Sequence, residues 1–237
     1  MQRTVQPELL DALPESDDRA VRSRADLRRV NRLLGHGRIL HRLLVQAREP
    51  VRCLVDLGVG DGTLLLSLAR HLAPFWGRIR VVGVDRQDLI TAETHRALQA
   101  LDWPIEMIRA DVFECWEQLG HEDGMVIMAN LFLHHFEVDQ LRSLLRQSAD
   151  RCALFAACDP RRGLLTLGAS RLLGVLGCND VTRHDALVST RAGFNGRDLS
   201  TLWPAERGWV LREQSAGLFS HSFVAWRSEW RAKETPV

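Results

Sequence analysis

The apolar run Val51 to Leu57 breaks into Gly58-Val59-Gly60-Asp61-Gly62 and resumes as Leu64-Leu65-Leu66-Ser67-Leu68-Ala69. This order reads as strand, tight turn and helix. Without a Cβ, glycine permits positive φ and lets backbone N–H groups approach a ligand at the start of the following helix. The turn is therefore expected to cradle a nucleotide-like ligand. A strand this apolar must be covered on both faces, which points to a parallel α/β sheet.

The rest of the chain continues the rhythm. Strands are expected at Val51–Leu57, Arg80–Asp85, Ile105–Ala110, Met125–Ala129 and Cys152–Cys158, with helices between them near 63–72, 89–101 and 138–148. Trp209–Gln214 and His221–Trp226, joined across Gly217, read as an antiparallel hairpin closing the sheet. Ahead of the first strand, Leu27, Val30, Leu33, Leu34, Ile39, Leu40, Leu43 and Leu44 recur at helical spacing, interrupted by Gly35-His36-Gly37. Residues 1 to about 17 are polar, contain two prolines and show no period, so a loosely packed start is expected. The arginines at 19, 22, 24, 28, 29 and 32 read as a solvated helix face, because acidic residues are interleaved and no aromatic accompanies them.

A single domain of 237 residues is expected: a helical cap over 1–49, a ligand-binding core over 50–160, an insertion over 161–205 and the closing hairpin over 206–237. The net charge of +1 offers no general attraction for nucleic acid or an anionic membrane. The five cysteines form no C-x-x-C pair, read as small core residues, and indicate a reducing, cytoplasmic setting. No apolar run approaches the roughly 20 residues that span a bilayer. No metal centre is expected.

Which ligand the turn takes is decided by its third position. A dinucleotide turn reads G-x-G-x-x-G or G-x-G-x-x-A, whereas Thr63 stands there, and no lysine follows to make a P-loop. What stands is Asp56-x-Gly58-x-Gly60-x-Gly62. Asp85 ends the second strand, Asp111-Val112 follows the third, and Asn130 ends the fourth.

In these residues the chain resembles the class I S-adenosylmethionine-dependent methyltransferases. The resemblance implies a doubly wound, mostly parallel seven-stranded sheet, a Rossmann-like methyltransferase fold with an antiparallel C-terminal hairpin and N-terminal helices. It also implies a cofactor site made by Asp56, Gly58, Gly60, Gly62, Asp85, Arg86, Asp111, Val112, Asn130 and Leu131. Asp85 would accept the two ribose hydroxyls of S-adenosylmethionine through charge-assisted bonds. Asp111 would face the adenine amino group, and Asn130 the methionine part. The product would be S-adenosylhomocysteine.

The acceptor is read from Asn130-Leu131-Phe132-Leu133-His134-His135-Phe136. No proline pair follows the asparagine, which argues against methylation of nucleic-acid bases. The segment resembles bacterial methyltransferases of small phenolic, quinonoid or polyketide-type molecules. Thr182-Arg183-His184-Asp185-Ala186, Ala192-Gly193-Phe194 and Phe219-Ser220-His221 are similar to a subgroup associated with polyketide-type biosynthesis. A small-molecule acceptor, methylated on oxygen ahead of carbon, is expected, by a monomer or homodimer. RNA or protein methylation and an inactive cofactor-binding scaffold are the alternatives.

Methyl transfer from a sulfonium is a direct displacement, so alignment can supply up to ~7–11 kcal/mol of the acceleration. A phenol, with a pKa near ~10, must also lose its proton. A histidine is the natural base near neutrality. The candidates are His134, His135, His184 and His221, with His135 first because it lies just after the fourth strand and His184 second; His134 and His135 are not expected to serve the same site if that stretch is extended, since neighbouring strand side chains point oppositely. Leu172, Leu173, Leu176, Phe194 and Trp203 are candidates for the acceptor pocket or ordinary core.

Overall fold

In a computed structural model, residues 1–47, 50–204 and 208–229 are described. The strands are β1 (Cys53–Leu57), β2 (Arg80–Asp85), β3 (Ile105–Arg109), β4 (Met125–Asn130), β5 (Leu154–Pro160), β6 (Trp209–Ala216) and β7 (Ser220–Arg227). They form one sheet in the order β3-β2-β1-β4-β5-β7-β6. The first five are parallel, and β7 turns antiparallel against β5 and β6. This is the parallel sheet with a closing hairpin that the apolar runs predict, in the doubly wound seven-stranded form that the resemblance implies.

The chain leaves β1 toward β2 and β3 on one side and returns to β4 and β5 on the other. The strand order therefore reverses between β1 and β4, and the crevice beyond their carboxyl ends is where open α/β sheets take ligands. Alternation along the fully buried β1 feeds two cores. Cys53, Val55 and Leu57 pack on one face with Leu141, Leu144 and Phe155. Leu54 packs on the other with Leu40, Leu44, Leu65 and Leu68.

Helices α1 (Leu9–Ala12), α2 (Asp18–Leu34) and α3 (His36–Leu44) precede the sheet, while α4 (Thr63–Trp76), α5 (Ala92–Gln99), α6 (Trp116–Leu119) and α7 (Val138–Ala149) connect the strands. Helices α8 (Leu164–Arg171) and α9 (Asp180–Ala192) fill the segment before the hairpin. Local chemistry sets the ends. Asp17 accepts the Arg19 N–H at the start of α2, left-handed Gly35 closes it, and a Glu137–Gln140 capping box opens α7.

The N-terminus corrects the expectation of a loose start. Both carboxylate oxygens of the buried Asp185 on α9 accept from the N–H groups of Leu9 and Leu10, at 2.8 and 3.0 Å. The Arg3 guanidinium donates to the carbonyls of Phe136, His134 and Ala192 at 2.8, 3.1 and 2.7 Å. A polar segment without periodicity is thus held by side chains far away in sequence. After α8, which ends at Arg171, the chain passes into a 3₁₀ turn at Leu172–Gly174.

Candidate active site

The turn after β1 is built as its glycines dictate. Gly58 has φ of 74°, and a Cβ there would lie 2.3 Å from the Phe132 ring, so only glycine lets the turn close against the segment after β4. Gly62 is also left-handed, at 71°, and starts α4. A Cβ there would stand 3.2 Å from Thr94 and 3.3 Å from Ile90, and Gly62, expected from sequence in the cofactor site, is not among the residues lining the cavity beyond the strand ends.

Beyond the carboxyl ends of β1, β2 and β4 lies a cavity of about 1310 Å³. Asp56, Gly58, Gly60, Asp85, Arg86, Asp111, Val112, Asn130 and Leu131 all line it. Asp85 accepts from the N–H groups of Gly60 and Gln87, both at 3.0 Å, which fixes its carboxylate and leaves one lone pair on each oxygen. Asp111 accepts from the Phe113 N–H at 3.0 Å and from the Arg86 Nε at 3.1 Å. Burial would raise the Asp111 carboxyl, but these bonds outweigh it and hold it below its ordinary value. Asp56 behaves oppositely: burial, and then the neighbouring charge of Asp85, push it well above the carboxylate range and favour its protonated form.

After β4 the backbone is strained. Leu131 has φ of 51°, an uncommon value for a side-chain-bearing residue, and its N–H is held by the Cys158 carbonyl at 2.8 Å. The kink swings Phe132 onto Gly58 and leads into a 3₁₀ turn at Leu133–His135. Because this stretch is not extended, the argument separating His134 from His135 lapses. Both line the cavity, with ring centroids 4.2 Å apart.

Their partners come from β5 and the N-terminus. Asp159 Oδ1 meets His134 Nδ1 at 2.8 Å, and Glu8 Oε1 meets His134 Nε2 at 3.1 Å. His135 Nδ1 lies 3.0 Å from the Phe132 carbonyl, and its Nε2 lies 3.4 Å from Glu8 Oε2 and 3.7 Å from Asp11 Oδ2. Burial disfavours charge on His134, yet its bonds to Asp159 and Glu8 raise its pKa to about 9. Burial likewise opposes charge on Glu8, but hydrogen bonds from the two imidazoles bring its carboxyl far below the usual glutamate range.

The other two histidines sit elsewhere. His184 is half exposed on α9, pairs with Asp185 at 3.1 Å and does not line the cavity. His221 on β7 is buried and bonded to Glu213 on β6 at 2.8 Å, also away from the cavity. This hairpin pairing occupies the side chain proposed from sequence as a base. Phe194 and Trp203 pack into the core, and Leu173 and Leu176 do not line the cavity. The side chain of Leu172 lies outside the described residues. Arg24, Arg28 and Arg32 do line the cavity, so one flank of the arginine-rich helix faces the site and is more than a solvated surface.

Sequence reasoning missed Glu8 and Asp159. Glu8 carried no signal, since the polar segment around it has no period. Asp159, ending an apolar strand before a proline, had the same strand-end position as Asp85 and Asp111 and could have been found by it.

The residues present fit an adenosine-bearing cofactor. Asn130 Oδ1 is buried without a hydrogen-bond partner among the described residues, and a Cβ on Gly60 would meet open space. The Asp85 oxygens keep free acceptor capacity toward the same cavity.

Residues 54–153 match the family model for a methyltransferase domain. No curated protein matches the chain in sequence. Among solved structures, the plantazolicin methyltransferase BpumL in complex with SAH aligns with a TM-score of 0.63 at 14% identity, covering 90% of this chain and 91% of that one. The methyltransferase domain of bacterial-CtHen1-C aligns with a TM-score of 0.53 at 15% identity, covering 82% and 98%. A structure described as "Conversion of a Disulfide Bond into a Thioacetal Group during Echinomycin Biosynthesis" aligns with a TM-score of 0.51 at 18% identity, covering 81% and 82%. At these identities the likeness carries the fold, and the matched domain carries the chemistry. The matched methyltransferase domain runs from β1 through α7, and the chain is an S-adenosylmethionine-dependent methyltransferase.

Proposed function

We propose that the chain methylates a small molecule, of aromatic or polyketide type, on oxygen in preference to carbon. The observation that carries this reading is the single cavity that joins the strand-end residues of the donor side to His134, His135, Glu8 and the rings of Phe132 and Phe136. At about 1310 Å³ it exceeds the roughly 300–1,000 Å³ of a pocket for one ligand, leaving room for donor and acceptor together.

S-adenosylmethionine supplies a methyl group on a sulfonium. Asp85 would hold the ribose hydroxyls, Asp111 and Val112 the adenine, and Asn130 with the backbone of Gly58 and Gly60 the methionine part. Arg86 holds Asp111 in place. Burial and the charge of Asp85 raise the Asp56 carboxyl and favour its protonated form, which would add a hydrogen-bond donor at this end without a second buried charge.

On the acceptor side, His135 is the proposed base. Its Nδ1 can only donate to the Phe132 carbonyl, so in the neutral ring Nε2 carries the lone pair. His134, with both nitrogens engaged and its pKa raised, is suited to hold charge beside the site and not to take a proton. Aromatic rings at Phe132, Phe113 and Phe136 line the same cavity and suit an apolar acceptor.

Plantazolicin and echinomycin, named for two of the structural neighbours, are natural products and favour an acceptor of that kind over a macromolecule. Incubation with methyl-labelled S-adenosylmethionine and a panel of phenols, resorcinols and carboxylic acids tests the reading. Label is expected in at least one phenolic ether. Label found only in RNA or protein, with none in the panel, would replace this reading by the macromolecular one.

A further inference from the structure

Glu8, immediately ahead of α1, and His134 and His135, on the turn after β4, meet beside the cavity although 126 residues separate Glu8 from His134. One carboxylate oxygen and one nitrogen of each imidazole lie within 4.8 Å of one another. We propose that these three side chains form a binding site for one divalent transition-metal ion. The role given to the ion below rests on the methyl-transfer reading, whereas the site does not.

Hydrogen bonding fixes the tautomers first. A carbonyl oxygen only accepts, so His135 Nδ1 carries the proton toward Phe132. His134 Nδ1 donates in the same way to Asp159 Oδ1 at 2.8 Å. In the neutral rings both Nε2 lone pairs then turn toward Glu8, at 3.1 Å and 3.4 Å from its two oxygens. Lone pairs converging on a carboxylate repel unless a positive species lies among them. Either protons or a cation can meet that requirement.

The spacing suits a cation. Nitrogen and oxygen ligands at ~2.0–2.2 Å from one ion stand roughly 2.8–3.6 Å from each other in octahedral or tetrahedral geometry. The two contacts to Glu8 fall within that interval. Asp11 Oδ2, 3.7 Å from His135 Nε2, stands beside the trio as a further oxygen donor.

Each ligand also has an orienting partner. Asp159 holds His134, the Phe132 carbonyl holds His135, and the Ser189 hydroxyl donates to Glu8. Carboxylate and carbonyl acceptors behind imidazole ligands are the usual outer support of a metal centre, fixing the ring and raising its basicity. Two imidazoles with one carboxylate favour zinc, cobalt, iron or manganese over magnesium or calcium, which prefer all-oxygen sites.

Three protein ligands leave coordination positions open, and all three line the cavity that would receive the acceptor. The ion would there hold and polarise an acceptor oxygen, lowering its pKa. With the ion bound, His135 Nε2 serves as a ligand and the released hydroxyl proton passes to solvent.

Titration of the full, chelator-treated chain with Co²⁺, followed by visible absorption and calorimetry, tests the proposal. Wild type is expected to take up one equivalent with a ligand-field band. Glu8→Gln and His135→Ala should each weaken uptake by at least about 100-fold, and Asp159→Asn by about 10–100-fold. His184→Ala should bind as wild type. Circular dichroism of His135→Ala, which alters a partly exposed ring, separates loss of ligand from loss of fold. Absence of stoichiometric uptake by wild type, or undiminished uptake by both ligand variants, would overturn the site. Asp85→Ala should keep Co²⁺ while binding S-adenosylhomocysteine about 10–100-fold more weakly. Cobalt uptake by a wild type that binds no S-adenosylhomocysteine would uphold the site and reject only the methyl-transfer reading.

Discussion

Asp159 at the end of β5 accepts from both the backbone N–H and the ring Nδ1 of His134, at 3.2 and 2.8 Å, and so fixes which face the imidazole turns to the cavity. Both side chains are buried. Removing one partner of such a pair strands the other away from water. Asp159→Ala should cost about 3–5 kcal/mol in urea unfolding, and Asp159→Asn distinctly less because an acceptor oxygen survives. Equal stability of Asp159→Ala and wild type would show that the pair does not anchor the turn.

Gly58→Ala tests the contact that joins the two halves of the site. The new Cβ would lie 2.3 Å from the Phe132 ring at a residue with φ of 74°. A left-handed alanine alone costs roughly 1–2 kcal/mol, and Phe132 must also move. The variant should lose at least about 2 kcal/mol of stability and bind S-adenosylhomocysteine more than tenfold less tightly. Calorimetry and thermal unfolding read both effects. An unchanged affinity would mean that Phe132 moves aside freely.

Asp56 gives a pH-dependent prediction. Its carboxyl is raised by burial and by the charge of Asp85, so the folded chain holds the proton more tightly than the unfolded one. Above the ordinary value of ~3.9 the unfolded state releases that proton while the folded state keeps it, and stability falls as pH rises. Asp56→Asn removes the linkage. It should be more stable than wild type at pH 7, with a gain that shrinks toward pH 4. A constant difference across that range would contradict the raised pKa.

Glu213 titrates in the opposite sense. Burial would raise its carboxyl, but His221 and the N–H groups of Ser200 and Leu199, at 2.8, 2.7 and 3.0 Å, hold it below its ordinary value. Its contribution is present above the unfolded pKa of ~4.3 and is lost as pH falls through the lower folded value. Acid unfolding of wild type should therefore be steeper than that of Glu213→Gln. The variant should also be less stable at pH 7, by about 2–3 kcal/mol, since a charged acceptor of several bonds is lost. Parallel acid curves would show that Glu213 titrates alike in both states.

The parallel strands were legible because each must be apolar on both faces, as β1, β4 and β5 are nearly throughout. The turn after β1 was legible because its glycines answer a local steric demand. Glu8 was not, because its place depends on Asp185 capturing the Leu9 and Leu10 N–H groups, a contact across 176 residues with no local period. His134 was set aside by a strand rule, and the left-handed Leu131 ends the strand just before that rule would apply. His221 lay beside Glu213 only once the hairpin register was known. The inward flank of the arginine-rich α2 depended on where α2 docks, which its own spacing does not encode.

The most direct test of the account is calorimetric titration of S-adenosylhomocysteine into wild type and Asp85→Ala, with NADH as the competing ligand. Wild type is predicted to bind one equivalent of S-adenosylhomocysteine and no NADH. Asp85→Ala is predicted to bind it about 10–100-fold more weakly, as loss of charge-assisted bonds to the ribose requires. Tight NADH binding without S-adenosylhomocysteine binding, or an affinity indifferent to Asp85, would contradict it.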